Sequence, residues 1–323
     1  MNSYLENFQK YSNFVRLKKV DTMITKLTQI VEEARRRGAK RLAVACGQDS
    51  HTLRAVYDAY KQGLVQPTIY GDRNVILEVC AAEGLESGVF NIVDEKNDIA
   101  CINLAVSAVA TGQADVLMKG LVSTDKYMRG ILNKEAGLFP AGGVLSHISV
   151  VELPDYPRLL CFSDAAVIPL PDFKQKTKIL GYLKQTANVL GIECPKIACL
   201  APSEQLLPSV QSSTDAAILA KMGDRGQLGN VTIDGPLSLD VAMYPEVAEE
   251  KKVKGSSVAG NADCLLFPNI ESANVFFKAC THFGNGTIAA MVAGTNRPCV
   301  LTSRGDTPET KLFSIALACL AAK

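Results

Sequence analysis

The chain has 323 residues, 47% apolar and 21% charged, enough for two ordinary domains or one large one and too apolar for a disordered protein. Its 34 lysines and arginines offset 33 acids, leaving a net charge of +1, so neither nucleic acid nor an anionic membrane is expected as a general partner. The opening MNSYLENFQKYSNF has no apolar h-region and no stretch approaches the ~20 apolar residues that span a bilayer, which points to the cytosol.

Short β-branched runs alternate with amphipathic stretches along most of the chain. A helix is predicted over 20–37, then a strand at 41–46, a helix at 50–62, and strands at 67–70 and 89–93. A helix at 98–110, a strand at 114–118 and a helix at 123–134 follow. Strands at 144–153 and 158–163 come next, joined only by Pro154 to Pro157. That link is too short for a crossover helix, so the pair is predicted to be an antiparallel hairpin. Beyond it come a helix at 173–190, a strand at 196–201, a helix at 213–222, a strand at 229–234 and a helix at 240–250. A strand at 262–267, a helix at 271–281, strands at 287–293 and 298–302 and a helix at 308–321 complete the series. Near-continuously apolar strands alternating with helices predict mostly parallel sheets covered on both faces. The pattern changes character at the hairpin, and 140–143 reads as a linker, placing a domain junction near residue 143.

Ten cysteines lie singly, mostly in apolar runs, with no CxxC and no Cys/His cluster. Buried reduced thiols are expected, with Cys46, Cys101, Cys199, Cys264 and Cys299 in core strands. Lys174, Lys176, Lys178 and Lys184 are expected on a solvated helix face.

Ligands of open parallel sheets bind beyond the carboxyl ends of strands, and three such stretches carry chemistry. In Leu301-Thr302-Ser303-Arg304-Gly305-Asp306-Thr307-Pro308-Glu309 a strand ends in a hydroxyl, a guanidinium and a glycine. Thr307 then makes a good N-cap and Pro308 a good first helical residue. Leu312, Ile315, Ala316, Cys319 and Leu320 form the stripe that docks this helix. Free N–H groups beside Ser303 and Arg304 make an anion site; a capped turn with a surface arginine accounts for the stretch equally well. Met118-Lys119-Gly120-Leu121-Val122-Ser123-Thr124-Asp125 is again strand, glycine turn, hydroxyls and helix, with Lys119 where a strand delivers a cation. Arg129 is read as an i,i+4 partner of Asp125. In Asp234-Gly235-Pro236-Leu237-Ser238-Leu239-Asp240 a Gly-Pro turn separates two carboxylates, and Asp240 is read as a helix cap. His147 lies in an alternating strand, where a structural role is the ordinary one. Neither GxGxxG nor a P-loop is present.

Taken together, LMKGLVST, RGILNKEAGL, LSH, SSTDAAILAKMGDRGQL, DGPLSLD, VAGNADCLLFPNIES and VLTSRGDTPETKLFSIALA resemble the phosphate acetyl/butyryltransferase family, the butyryl branch more than the acetyl. The resemblance runs in order from about residue 35 onward, with the first twenty or so residues as an extension. It implies two α/β domains arranged as in the isocitrate and isopropylmalate dehydrogenases, with an interdomain cleft. The first domain would comprise 1–143 and 294–323, with the chain returning near Gly294, and the second 144–293. It further implies a homodimer and the reaction acyl-CoA plus phosphate giving acyl phosphate plus CoA, by direct thiolate attack in a ternary complex. Coenzyme A is then a substrate, and no metal or other cofactor is expected. By residue match Arg304 is the phosphate clamp and Ser303 a hydrogen-bond donor, and Asp306 completes the SRxD pattern. Glu309 is a candidate base. Lys119, Ser123, Thr124, Arg129 and Ser146 match positions on the CoA and phosphate side. Ile168 and Ala273 depart from the asparagine and glycine usual in relatives; at the cleft, these changes would alter acyl preference or turnover. Two alternatives stand beside this reading: a metal- and NAD(P)-dependent dehydrogenase on the same fold, hinted at only by Asp234 and Asp240, and a non-catalytic CoA- or phosphate-binding relative.

Overall fold

The computed structural model describes residues 23–303 and 305–322. The expected N-terminal extension, the start of the 20–37 helix and Arg304 lie outside the described residues. The chain forms α1 (Leu27–Arg36), β1 (Lys40–Ala45), α2 (Ser50–Lys61), β2 (Val65–Gly71), α3 (Arg73–Glu83), β3 (Asn91–Asp94), α4 (Asp98–Ala110), β4 (Val116–Lys119) and α5 (Thr124–Leu132). It continues with β5 (Ser146–Glu152), β6 (Leu160–Ser163), α6 (Phe173–Val189), β7 (Lys196–Leu200), α7 (Gln211–Asp224), β8 (Thr232–Leu237), α8 (Leu239–Met243) and α9 (Pro245–Glu250). β9 (Cys264–Leu266), α10 (Ile270–His282), β10 (Thr287–Ala293), β11 (Cys299–Val300) and α11 (Pro308–Ala321) complete the order.

One 11-stranded sheet runs β3-β2-β1-β4-β11-β10-β5-β6-β9-β7-β8. Its pairings are parallel except β11/β10, β10/β5 and the predicted hairpin β5/β6. Strands from 40–119 and 299–300 occupy one half, and strands from 146–293 the other. The junction between β11 and β10 is a single bridge, Val292 with Cys299, whereas β10 and β5 pair along seven positions. Ala290 N–H therefore has no partner on β11 and donates to Ser314 Oγ of α11 at 3.0 Å. Two close backbone approaches, beside the β10/β5 and β4/β1 pairings, require glycine. A methyl group on Gly294, which has φ +95°, would strike the Val144 carbonyl, and one on Gly120 would strike the Cys46 carbonyl.

One apolar cluster covers one face of the sheet across both halves, joining α1, α2, α6, α7 and α11. The other face carries two separate clusters, one under α4 and α5 and one under α8, α9 and α10. The gap between those two clusters positions the site described below.

Several expectations need correction. A helix over 73–83, capped by Asp72, was not foreseen. The 240–250 helix is two, because Pro245 starts a new helix at its first position. β8 runs through Gly235-Pro236 to Leu237, so no turn separates the carboxylates there. Ser238, not Asp240, occupies the N-cap position of α8. Asp240 instead accepts hydrogen bonds from Ser238 Oγ and Lys251 Nζ, which hold its carboxyl down at about 2. Lys176 is not on a solvated face: it is buried between α6 and α7, where Asp215 neutralises it at 2.7 Å and Gln211 takes the other carboxylate oxygen. Lys174 is exposed, and Lys178 and Lys184 are half-buried. Cys101 is buried in helix α4 rather than in a strand. Helix α11 is enclosed on nearly all sides from Phe313 to Leu320, not along a single stripe.

Candidate active site

The loop after β11 is fixed before it reaches the site. Thr307 caps α11 by accepting from Thr310 N–H, and Pro308 follows at the first helical position. The Asp306 carboxylate accepts Ser303 N–H at 2.6 Å. Beneath them Lys311, 3% exposed, donates to Thr302 Oγ1 at 3.2 Å and to the Ser303 carbonyl at 2.8 Å. Burial lowers the Lys311 pKa, while Asp306 and Asp49 pull it back up. From the helix that follows neighbouring β4, Tyr127 of α5 is fully buried and donates to the Val300 carbonyl, tying α5 to β11.

These elements border a cavity of about 240 Å³ between the two clusters on the divided face. Its exposed rim is polar: Thr124 at the start of α5, Ser303, and Asn274 with Lys278, one turn apart on α10. Half-buried Asp306 and Thr310 descend from the rim. The floor is buried and consists of Ala165, His147, Ile288, Ala290, Leu301 and Ser314. Alternation along antiparallel β5 and β10 sends His147, Ala290 and Ile288 to the same side.

A second constellation shapes the far wall. Asp164 accepts from the N–H groups of Ala166, Val167 and Ile168 and from Ser146 Oγ, all within 3.1 Å. Asn274 adds a hydrogen bond to the Ala165 carbonyl. The resulting turn presents Ala165 and Ala166 to the cavity. His147 packs against Phe277 with ring centroids 6.5 Å apart, and its Nδ1 lies 3.3 Å from Ser149 Oγ. Burial lowers the His147 pKa, against the opposing pulls of Asp164, the Leu301 carbonyl and Asp306.

The cavity thus brings together Thr124, Ser303 and Asp306 among the residues singled out from sequence. Others lie apart from it. Lys119 is buried and donates to the Gly120 and Val122 carbonyls, so it braces the turn that leads to Ser123 and Thr124. Ser123 caps α5. Arg129 pairs with Asp125 at 3.1 Å and stays exposed. Ser146 is fully buried against Ser163 and Asp164. Glu309 is exposed and does not line the cavity. Ile168 and Ala273 are buried in the core, and neither lines the cavity. Sequence reasoning missed Asp164, Asn274, Lys278 and Lys311 and gave His147 only a structural part. A signal existed for Lys311, which sits one turn before Ile315 on the inward side of its helix. His147 has none, because its neighbours arrive from β10, α10 and the loop after β11.

Residues 99–319 match the family described as phosphate acetyl/butaryl transferase. Phosphate butyryltransferase of Clostridium acetobutylicum is 41% identical over 300 residues, covering 93% of this chain and 99% of its own. The chain belongs to that family. Phosphate acetyltransferase of Thermotoga maritima is 38% identical over 292 residues, covering 90% of this chain and 98% of its own. Among solved structures, a branched-chain phosphotransacylase from Enterococcus faecalis V583 superposes with a TM-score of 0.78 at 30% identity, covering 87% of this chain and 98% of that one. This phosphate acyltransferase shares with them a mixed α/β fold built on one large, mostly parallel sheet. No helix among its described residues is long and apolar enough to cross a membrane.

Proposed function

We propose that this phosphate acyltransferase moves a short acyl group between coenzyme A and phosphate by direct attack in a ternary complex. The observation that carries the reading is the convergence of Ser303, Asp306 and Thr124 on one cavity in a chain of this family. In the direction that makes acyl-CoA, the CoA thiol gives its proton to Asp306 and the sulfur attacks the acyl phosphate carbonyl. The carbon–oxygen bond to phosphate breaks, and the electron pair leaves with phosphate. In reverse, a phosphate oxygen attacks the thioester and the thiolate leaves to be reprotonated. Ser303 N–H is already spent on Asp306, so the Ser303 hydroxyl is the donor that steadies developing charge. Arg304 is assigned to the phosphate, for which a guanidinium fork is suited. Asp306 is preferred over Glu309 as base because it borders the cavity.

Ser123, Thr124 and Arg129 are assigned to the CoA side, while Lys119 and Ser146 act through the turns they brace. The reading includes a first domain of 1–143 with 294–323 and a second of 144–293, which the sheet order and the single bridge at β10/β11 support. It also includes a homodimer, a cytoplasmic location and turnover without a metal or redox cofactor. The test is release of CoA thiol from acetyl-, propionyl-, butyryl- and isobutyryl-CoA with phosphate varied, with and without EDTA. Release that ignores phosphate, or that EDTA abolishes and magnesium restores, rules the mechanism out.

A further inference from the structure

We propose that Lys311 is the buried countercharge of the Ser303–Asp306 turn, a positioning residue that offsets the Asp306 carboxylate so that the turn can accept a phosphate dianion. This rests on the acyltransferase reading and deepens it. Lys311 is 3% exposed and does not itself line the cavity. It lies beneath two residues that do, with Nζ 2.8 Å from the Ser303 carbonyl and 3.2 Å from Thr302 Oγ1. Asp306 accepts the Ser303 N–H. Both polar groups of the Ser303 backbone are therefore held, the carbonyl by a cation and the N–H by a carboxylate.

Packing alone does not account for a lysine here. A buried ammonium is costly unless an anion neutralises it. Lys176, 4% exposed, meets that condition through Asp215 at 2.7 Å. Lys311 does not: both of its hydrogen bonds go to uncharged oxygens, and among the described residues it forms no ion pair. Asp306 and Asp49 act on it only at longer range, against the burial that lowers its pKa. Its position adds to the cost, because it lies one turn from the N-terminus of α11, the end at which the helix dipole disfavours a cation. An uncompensated charge beneath a cavity makes that cavity attractive to anions, and a buried charge is little screened by salt. Without it, a phosphate dianion would meet the Asp306 carboxylate unopposed. The lysine thus trades stability for anion affinity.

The test uses Lys311→Met, which keeps the chain length and removes the charge, and Lys311→Gln, which keeps a hydrogen-bond donor without the charge. The acceptors they free, on Thr302 and Ser303, belong to residues that border the cavity, where water can replace the ammonium. In phosphate-free buffer both variants are expected to melt at or above the wild-type temperature. Inorganic phosphate, titrated without acyl-CoA, should raise the wild-type melting temperature, and both variants should need at least ~10-fold more of it for the same shift. In steady-state kinetics KM for phosphate should rise by a similar factor, while KM for acyl-CoA stays within about threefold of wild type. Lys311→Met that fails to fold or melts well below wild type makes the lysine a structural brace and overturns the proposal. So does Lys311→Gln with wild-type phosphate affinity, because a hydrogen bond then suffices, and so do folded variants whose phosphate affinity is unchanged. Wild-type CoA release that ignores phosphate defeats the acyltransferase reading itself.

Discussion

Asp306 and Ser303 are bound to each other by the 2.6 Å bond from the serine N–H to the carboxylate, so the proposed base and the proposed donor share one rigid turn. Asp306→Asn keeps an oxygen to accept that N–H but removes the basic site. A positioned base contributes about 10²–10⁴-fold. Asp306→Asn is therefore expected to lower kcat at least ~100-fold with KM for phosphate nearly unchanged, and Asp306→Ala to raise that KM as well. Steady-state kinetics of a folded Asp306→Asn within about threefold of wild type would remove Asp306 from the mechanism.

Arg304 follows Ser303 directly in the chain. A guanidinium holds phosphate by two parallel charge-assisted bonds, worth about 1.5–3 kcal/mol each, in a geometry lysine cannot reproduce. Arg304→Ala should lose at least two orders of magnitude in kcat/KM for phosphate, about 3 kcal/mol, and Arg304→Lys should recover part of it. Phosphate is varied at saturating acyl-CoA. A loss confined to KM for acyl-CoA would assign the arginine to the other substrate.

His147 predicts a pH dependence of stability. Burial holds the imidazole pKa below its usual value, so the native state binds fewer protons than the unfolded chain between that depressed value and about 6.5. Stability is then undiminished by this group above about pH 6.5 and falls as pH drops through that window. Urea midpoints measured from pH 8 down to 5 should decline more steeply in wild type than in His147→Asn. Parallel curves would show that the ring is not buried neutral.

Nine of the ten cysteines are buried, and Cys194 alone is exposed. A thiol reagent added to native protein should label one site rapidly, and Cys194→Ser should abolish that fast phase. Ten should react in urea. Rapid native labelling of several more would contradict the packing of α4 and the central strands.

The strand–helix alternation, the hairpin and the cap at Thr307 were readable because each depends on neighbours within a few residues. Helix α3 was not, since 73–83 carries only a weak apolar stripe and just Ile76 and Cys80 are buried. The two strand-end stretches singled out Thr124 and Ser303, which line one cavity. They also singled out Lys119, whose bonds to the Gly120 and Val122 carbonyls no local sequence pattern announces. Lys176 appeared solvated because its partner Asp215 lies on another helix. The floor of the cavity was illegible for the same reason. Ala290, Leu301 and His147 are unremarkable alone and acquire meaning only through the antiparallel register of β5 and β10.

The seam at Val292 and Cys299 also bears on the order in which the molecule is built. β11 lies between β4 and β10, and it pairs Cys299 with Leu117 from far back in the chain. Ser303, Asp306, Thr310 and Ser314 all follow it. During synthesis the two halves of the sheet must wait, with their facing edges open, for β11 to emerge. Contacts of such long sequence separation form slowly, and open strand edges are prone to aggregation. A polypeptide interrupted before β11 lacks the strand between the halves and the loop to which the chemistry is assigned. On the proposed reading, the capacity to react is therefore acquired only after β11 and the loop behind it have been made.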